Sequence, residues 1–221
     1  MVRLCIFDLD GTLIDSLKDL ADCCNWVLEE GGFPPHPQNA YRHFVGNGIP
    51  KLIERILPEE ERTEEQMASF RRRFDERYRA HCLDATKPYP GVSELLHTCR
   101  EKGISLAVLS NKAEPFAKFI CKEIFGEQAF DAVSGQKPEI PKKPAPDGVY
   151  SLLMGLHVRP EETVLVGDSN VDILTAQNAG IHSIGACWGF RGREELEQTG
   201  AESLADTPKD CQNIIFTKNW Q

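Results

Sequence analysis

No stretch of this chain comes near the roughly 20 consecutive apolar residues that a bilayer-spanning helix needs. Met1 leads straight into an apolar strand with no basic leader ahead of it, so neither membrane insertion nor export is expected, and a cytoplasmic location is. None of the eight cysteines is spaced as Cys-x-x-Cys, and no His and Cys cluster accompanies them. A zinc site, a dithiol redox centre and a disulfide framework are disfavoured, and the thiols read as reduced core residues. Cations are in short supply: 25 Lys and Arg stand against 34 Asp and Glu, a net charge of -9. That balance excludes the broad basic footprint of a nucleic-acid partner, although a few local cations or a metal can reverse the field inside one pocket. Internal repeats and low-complexity segments are missing too, so neither a solenoid nor a disordered chain is expected.

What remains is 221 residues with 41% apolar content, enough for one large domain or for a core domain carrying a smaller insertion. Leu4-Cys5-Ile6-Phe7 reads as a buried parallel strand that stops where Asp8 and Asp10 begin. Asp-x-Asp-Gly is also ordinary turn chemistry. In open α/β sheets, however, ligands bind beyond the strand C-termini, and paired acids there suit a metal or a reaction centre.

After Asp15 the apolar period becomes helical through Leu17, Leu20, Ala21, Cys24, Val27 and Leu28, with Gly31-Gly32 as the stop. A stiff turn at Pro34, Pro35 and Pro37 leads to Val45-Gly46-Asn47-Gly48 and a helix started by Pro50. Thr63-Glu64-Glu65-Gln66 predicts a capped helix whose apolar face carries Met67, Phe70, Phe74, Tyr78 and His81, with Arg71-Arg72-Arg73 on its solvated side. From Tyr89 onward helices and strands alternate. The strands are predicted over 104–109, ending in Ser110-Asn111, then over 130–134, 163–166 and 183–187. Asp147 is expected to cap a helix, and the tail beyond Gln198 is weakly patterned.

The alternation predicts an α/β fold, a Rossmann-like doubly wound parallel sheet covered by helices on both faces. Residues 16–87 break it, being helical throughout. They are expected to form an inserted all-helical cap, hinged beside the acidic loop as a lid, with residues 1–15 and 88–221 as the catalytic core.

The polar residues that terminate strands are Asp8 and Asp10, Ser110 and Asn111, and Asp168 with Asp172. Lys137, Lys142 and Lys143 lie in a nearby loop and compete for any role. Several convergent carboxylates repel one another unless a hard cation joins them, and Mg²⁺ suits oxygen donors beside a substrate phosphate. A lysine and a hydroxyl would hold phosphoryl oxygens while one aspartate attacks phosphorus and another moves protons. In isolation, Asp168 and Asp172 read equally well as helix-capping residues, and Ser110 as a turn residue.

Together these residues resemble the four motifs of the haloacid dehalogenase superfamily of phosphohydrolases. Phe7-Asp8-Leu9-Asp10-Gly11-Thr12-Leu13 is similar to its first motif, Leu109-Ser110-Asn111 to its second, Lys143-Pro144-Ala145-Pro146 to its third and Gly167-Asp168-Ser169-Asn170-Val171-Asp172 to its fourth. The resemblance implies Asp8 as a nucleophile that becomes an aspartyl-phosphate, and Asp10 as acid and then base. It implies Mg²⁺ held by Asp8, the Asp10 backbone carbonyl and Asp168, with Asp172 close by. Thr12, Ser110, Asn111 and Lys143 are implied on the substrate side, Lys143 being preferred because it directly precedes Pro144. Gly46, Asn47 and Gly48 of the cap would join them.

Within the superfamily the cap and the Tyr89-Pro90-Gly91 entry look like the phosphoglycolate phosphatases, so a small phosphorylated metabolite is the expected partner of a monomer or homodimer. Sugar-phosphate phosphatases, a pyrophosphatase and a phosphomutase share most of the pattern. For a substrate carboxylate, Arg42, Lys51 and Arg55 are the cations to consider. A hydrolytic dehalogenase would not need Asp10. A receiver-like signalling domain would carry neither the helical insertion nor an acid two residues after the nucleophile, and a silent binding protein would not need the full set.

Overall fold

The computed structural model describes residues 1–220. The chain runs through β1 (Leu4–Phe7), β2 (Ile14–Asp15), α1 (Leu17–Glu30), α2 (Tyr41–Phe44), α3 (Ile49–Ile56), α4 (Glu64–His81) and β3 (Lys87–Pro88). It continues with α5 (Val92–Glu101), β4 (Ser105–Ala113), α6 (Glu114–Phe125), β5 (Ala132–Gln136), α7 (Asp147–Leu156), β6 (Thr163–Gly167) and α8 (Asn170–Ala179). Last come β7 (His182–Ala186), α9 (Arg193–Gln198), β8 (Ser203–Ala205) and α10 (Pro208–Thr217).

Six strands form one parallel sheet in the order β5-β4-β1-β6-β7-β8. Side chains alternate between the faces of a strand, and β1 divides accordingly. Leu4 and Ile6 enter the cluster under α7 and α8 with Ala107, Leu165 and Val149. Cys5 and Phe7 enter the larger cluster on the opposite face, which holds Leu95 and Ile120 and continues into the cap through Leu20, Leu52, Phe70 and Tyr78. The doubly wound parallel sheet expected from the alternation is therefore present, with a helical insertion between β2 and β3. The apolar residues predicted for α1 are all buried, and Thr63 Oγ1 accepts the Gln66 N–H at 3.2 Å to start α4. No helix among the described residues is long and apolar enough to cross a membrane.

Four local expectations need correction. β4 does not stop at Leu109 but runs on to Ala113, with its pairing to β5 slipping between Leu109 and Ala113. β5 lies two residues later than 130–134, because Phe130 turns aside onto Phe125. Asp147 is the first residue of α7 and caps nothing; the N-cap position belongs to Pro146. The tail is not weakly structured. It adds the edge strand β8 and helix α10, which Thr207 and Asp210 cap reciprocally, a Thr-x-x-Asp pattern that was there to be read.

The two crossings between the sheet and the insertion are β2 and β3, which pair antiparallel at Ile14 with Pro88 and Asp15 with Lys87. Just inside the insertion, Asp19 is buried in the first turn of α1 and accepts the N–H groups of Ala85 and Thr86 and the Thr86 hydroxyl at 2.7–3.0 Å. One carboxylate thus ties the outgoing helix to the returning chain.

Candidate active site

β1 lies between β4 and β6, so the chain winds away from it in opposite directions and leaves a crevice beyond its C-terminal end. Asp8 follows β1 directly, Ser110 lies in the last half of β4, and Asp168 follows β6. Sheet topology alone brings these three together across 160 residues of sequence.

Asp8, Asp168 and Asp172 are buried and each turns one carboxylate oxygen to a common point, the three atoms lying within 4.8 Å of one another. Lys143 is the cation among them, its ammonium 2.8 Å from Asp8 Oδ1 and 2.6 Å from Asp172 Oδ1. Burial pushes the Asp8 carboxyl up to about 6; Lys143 opposes the rise, and Asp172 and Asp10 add to it. Asp168 is held well above the ordinary carboxylate range by burial first and then by Asp172 and Asp8. Burial works against the Lys143 ammonium, yet Asp172 and Asp8 outweigh it and hold its pKa above that of a free lysine. One lysine does not neutralise three acids. An oxygen donor set of this kind fits a small hard cation such as Mg²⁺, and the group contains no sulfur or imidazole to suit zinc.

The remaining contacts fix these carboxylates. Asp172 Oδ2 accepts the Ser169 N–H at 3.2 Å and the Ser169 hydroxyl at 2.7 Å at the start of α8. Helix capping, read from the sequence as the alternative to a role in the acid site, and pairing with Lys143 are performed at once by its two oxygens. Asp168 Oδ2 accepts the Phe190 N–H at 2.7 Å, and Thr12 Oγ1 reaches Asp168 Oδ1 at 3.4 Å. Thr12 is fully buried against that acid and does not line the pocket. Gly11 has a φ of +91°, and a Cβ there would stand 2.4 Å from the Asp168 carboxylate, so both backbone conformation and close approach require glycine.

Asp10 points elsewhere. Its carboxylate accepts the Ser16 hydroxyl and both of its oxygens lie 3.1 Å from the ammonium of Lys112. Lys112, absent from the residues singled out in the sequence, also donates to the Tyr78 hydroxyl of α4 at 2.8 Å. Its side chain is only 2% exposed. No signal in the sequence marks it, because the extension of β4 that carries this lysine inward beside an acid is visible only in the fold.

The cap sits over this site. A pocket with a cavity volume of about 30 Å³ is lined on the core side by Asp8, Asp10, Ser110, Asn111 and Lys112, and on the cap side by Leu20, Val45, Gly46, Gly48, Ile49 and Leu52. It is small by the standard of ligand sites. Asn111 bridges the two sides, its amide donating to the Gly46 carbonyl and to the Lys143 carbonyl at 3.1 Å each. Lys142 Nζ reaches the Asn47 carbonyl at 3.0 Å, so the turn at 46–48 is a cap-to-core contact. Arg42, Lys51 and Arg55 do not line the pocket. Arg42 extends to the Gly189 and Phe190 carbonyls, Lys51 pairs with Glu54, and Arg55 holds the His43 and Phe44 carbonyls. Arg191, also unanticipated, answers Arg42 from the core by donating to the Val45 carbonyl at 3.0 Å.

The sequence model of the haloacid dehalogenase-like hydrolases matches residues 5–186. A phosphoglycolate phosphatase of Aquifex aeolicus is 35% identical over 193 residues, covering 86% of each chain. One from Vibrio vulnificus is 33% identical over 220 residues, covering 97% of this chain and 96% of its own. Among solved structures, a predicted phosphoglycolate phosphatase from Haemophilus somnus superposes with a TM-score of 0.90 at 30% identity, over 96% of this chain and 97% of the other. With full-length likeness in sequence and fold, and with acids and a lysine gathered at the strand ends, the chain belongs to the haloacid dehalogenase-like hydrolases and is a phosphatase.

Proposed function

We propose that this enzyme hydrolyses 2-phosphoglycolate by way of an aspartyl-phosphate on Asp8, with Mg²⁺ as its cofactor. The observation that carries the reading is the buried group of Asp8, Asp168 and Asp172 around Lys143, whose Asp8 also lines the pocket that holds Ser110 and Asp10. Asp8, Asp168 and Asp172, with the Asp10 backbone carbonyl, would hold the metal. The metal supplies positive charge to the phosphoryl oxygens and to the acids around them.

Asp8 attacks phosphorus, forming a carboxylate–phosphorus bond as the ester bond breaks, and Asp10 gives its proton to the departing alkoxide. Water then attacks the aspartyl-phosphate, Asp10 takes the proton back, and phosphate leaves with Asp8 restored. Lys143 stays an ammonium throughout, since its neighbours hold its pKa up, and it neutralises phosphoryl oxygens together with the Ser110 hydroxyl. Asp8, with a carboxyl near 6, is ionised and nucleophilic at neutral pH.

Residues 16–87 act as a lid that swings on the β2–β3 ribbon and excludes water when closed. Asn111 and the turn at Gly46, Asn47 and Gly48 serve as its catch, supported by the contacts at 3.0–3.1 Å. The choice of 2-phosphoglycolate rests on the full-length relatives that carry that name, together with the small pocket. A panel of phosphate esters tests it. The highest kcat/KM should fall on 2-phosphoglycolate and be abolished by chelation, and a sugar phosphate or pyrophosphate turned over more efficiently would replace the substrate assignment.

A further inference from the structure

We propose that Tyr78 and Lys112 form a relay through which the position of the cap sets the orientation of Asp10. The inference rests on the role given to Asp10 above. A buried ammonium is tolerable only where its hydrogens are used, and Lys112 uses them across the seam between cap and core. Two contacts of 3.1 Å go to the oxygens of Asp10 in the core loop, and one of 2.8 Å goes to Tyr78 on α4 of the cap. The Tyr78 ring also lies 4.7 Å from the ammonium, a cation–π approach. Tyr78 is rigid in turn. It stacks on Phe74 of its own helix at 5.2 Å and meets Phe116 of α6 edge-on at 5.3 Å.

Asp10 therefore has two supports. One is Ser16, immediately after the hinge strand β2; the other is a lysine whose remaining partner rides on the cap. If the cap swings away, Tyr78 leaves with it, and Lys112 exchanges a fixed hydroxyl and an aromatic face for water. Its geometry toward Asp10 is then no longer fixed. Proton transfer depends on placement within hydrogen-bond reach, so Asp10 is competent only beneath a closed cap. Chemistry is thereby confined to the state in which bulk water is excluded. Lys112 and Tyr78 are positioning residues in this scheme.

The experiment is a set of double-mutant cycles on the metal-loaded enzyme, with 2-phosphoglycolate and an aryl phosphate as substrates. Tyr78→Phe keeps the ring and removes only the hydroxyl, so kcat for the alkyl ester should fall about tenfold with KM unchanged, the loss expected for one hydrogen bond to a charged group. The fall should be smaller for release of an aryl leaving group in the first turnover, which needs little protonation. Lys112→Met should lower kcat toward that of Asp10→Asn. Combining either change with Asp10→Asn should cost nothing further, because the group being positioned is gone. Where Lys112→Met does not fold, the Tyr78→Phe cycle decides alone. Additive losses would overturn the relay, as would a raised KM at unchanged kcat, which would make Lys112 a substrate contact. Full turnover by Asp10→Asn itself would instead sink the acid–base reading beneath it.

Discussion

Asp172 lies closer to the Lys143 ammonium than the proposed nucleophile does, 2.6 Å against 2.8 Å for Asp8. The second oxygen of Asp172 is committed to Ser169 at the head of α8, so the lysine is anchored to a helix terminus and presented to Asp8 from there. A cation fixed by one acid and offered to another needs no rearrangement when a phosphoryl group arrives, which is where electrostatic catalysis gains its advantage.

Lys143→Met should accordingly be destructive twice over. It leaves Asp8 and Asp172 buried without their cation, and breaking a buried ion pair from one side costs about 3–5 kcal/mol. Denaturant unfolding of the metal-free proteins should show a loss of that size. Turnover at saturating Mg²⁺ should fall by at least about 10²-fold, the loss typical of one electrostatic donor. A mutant of unchanged stability would mean that the lysine is not buried between the two acids.

Metal binding should be linked to pH through Asp8. Its carboxyl, raised to about 6 by burial, keeps a proton in the folded chain at pH values where the unfolded carboxyl, with an ordinary pKa near 4, has lost it. The metal-free protein therefore loses stability as pH rises between those values. A cation binds the ionised form, so the rise in Tm caused by Mg²⁺ should grow from pH 5 to 7 and then level off. Thermal melts with and without chelator read this directly. A Tm increment that is flat across that range, or equally large in Asp168→Asn, would count against the acid cluster as the metal site.

Much of this was legible in the chain. The strands announce themselves because a doubly covered parallel sheet demands continuous apolar runs such as Thr163-Val164-Leu165-Val166, and the acids stand out because they interrupt those runs at their ends. What was not legible depends on contacts between distant segments. Lys112 follows Ser110-Asn111, yet only the fold shows that it is buried between Asp10 and Tyr78 of α4. Arg42 and Arg55 look like substrate cations in the sequence, but backbone carbonyls of the loop after β7 and of the end of α2 claim them. Strands β2 and β3, two residues each, carry no period at all.

Asp19 was likewise unreadable, since an acid in the first turn of a helix has a sufficient explanation in the helix dipole. Its three protein donors at Ala85 and Thr86 suggest a stronger role. Asp19→Ala should lower stability by about 1–2 kcal/mol, because partly buried N–H groups are left without their acceptor. Hydrogen exchange should then show the amides of 85 and 86 losing protection before those of β1 and β6. Exchange that accelerates uniformly would show that the contact supports the whole fold and not the junction.

The sharpest test concerns Asp10, because one carboxyl is assigned opposite tasks in successive half-reactions. When the alkoxide leaves, Asp10 must donate a proton; when water attacks the aspartyl-phosphate, it must accept one. Asp10→Asn preserves shape and removes both functions, so turnover of an alkyl phosphate should fall by the roughly 10²–10⁴-fold that positioned proton transfer contributes. An aryl phosphate separates the two steps. Its phenolate departs with little help, so phosphorylation of Asp8 should partly survive while hydrolysis stays slow. The mutant should release a burst of at most one phenol per site and retain phosphate in a hydroxylamine-sensitive bond. Asp8→Asn, lacking the nucleophile, should give neither. If Asp10→Asn slows both substrates equally and no phosphoenzyme accumulates, the carboxyl does not change roles between the steps. Its pairing with Lys112 at 3.1 Å would then be a structural support for the first loop.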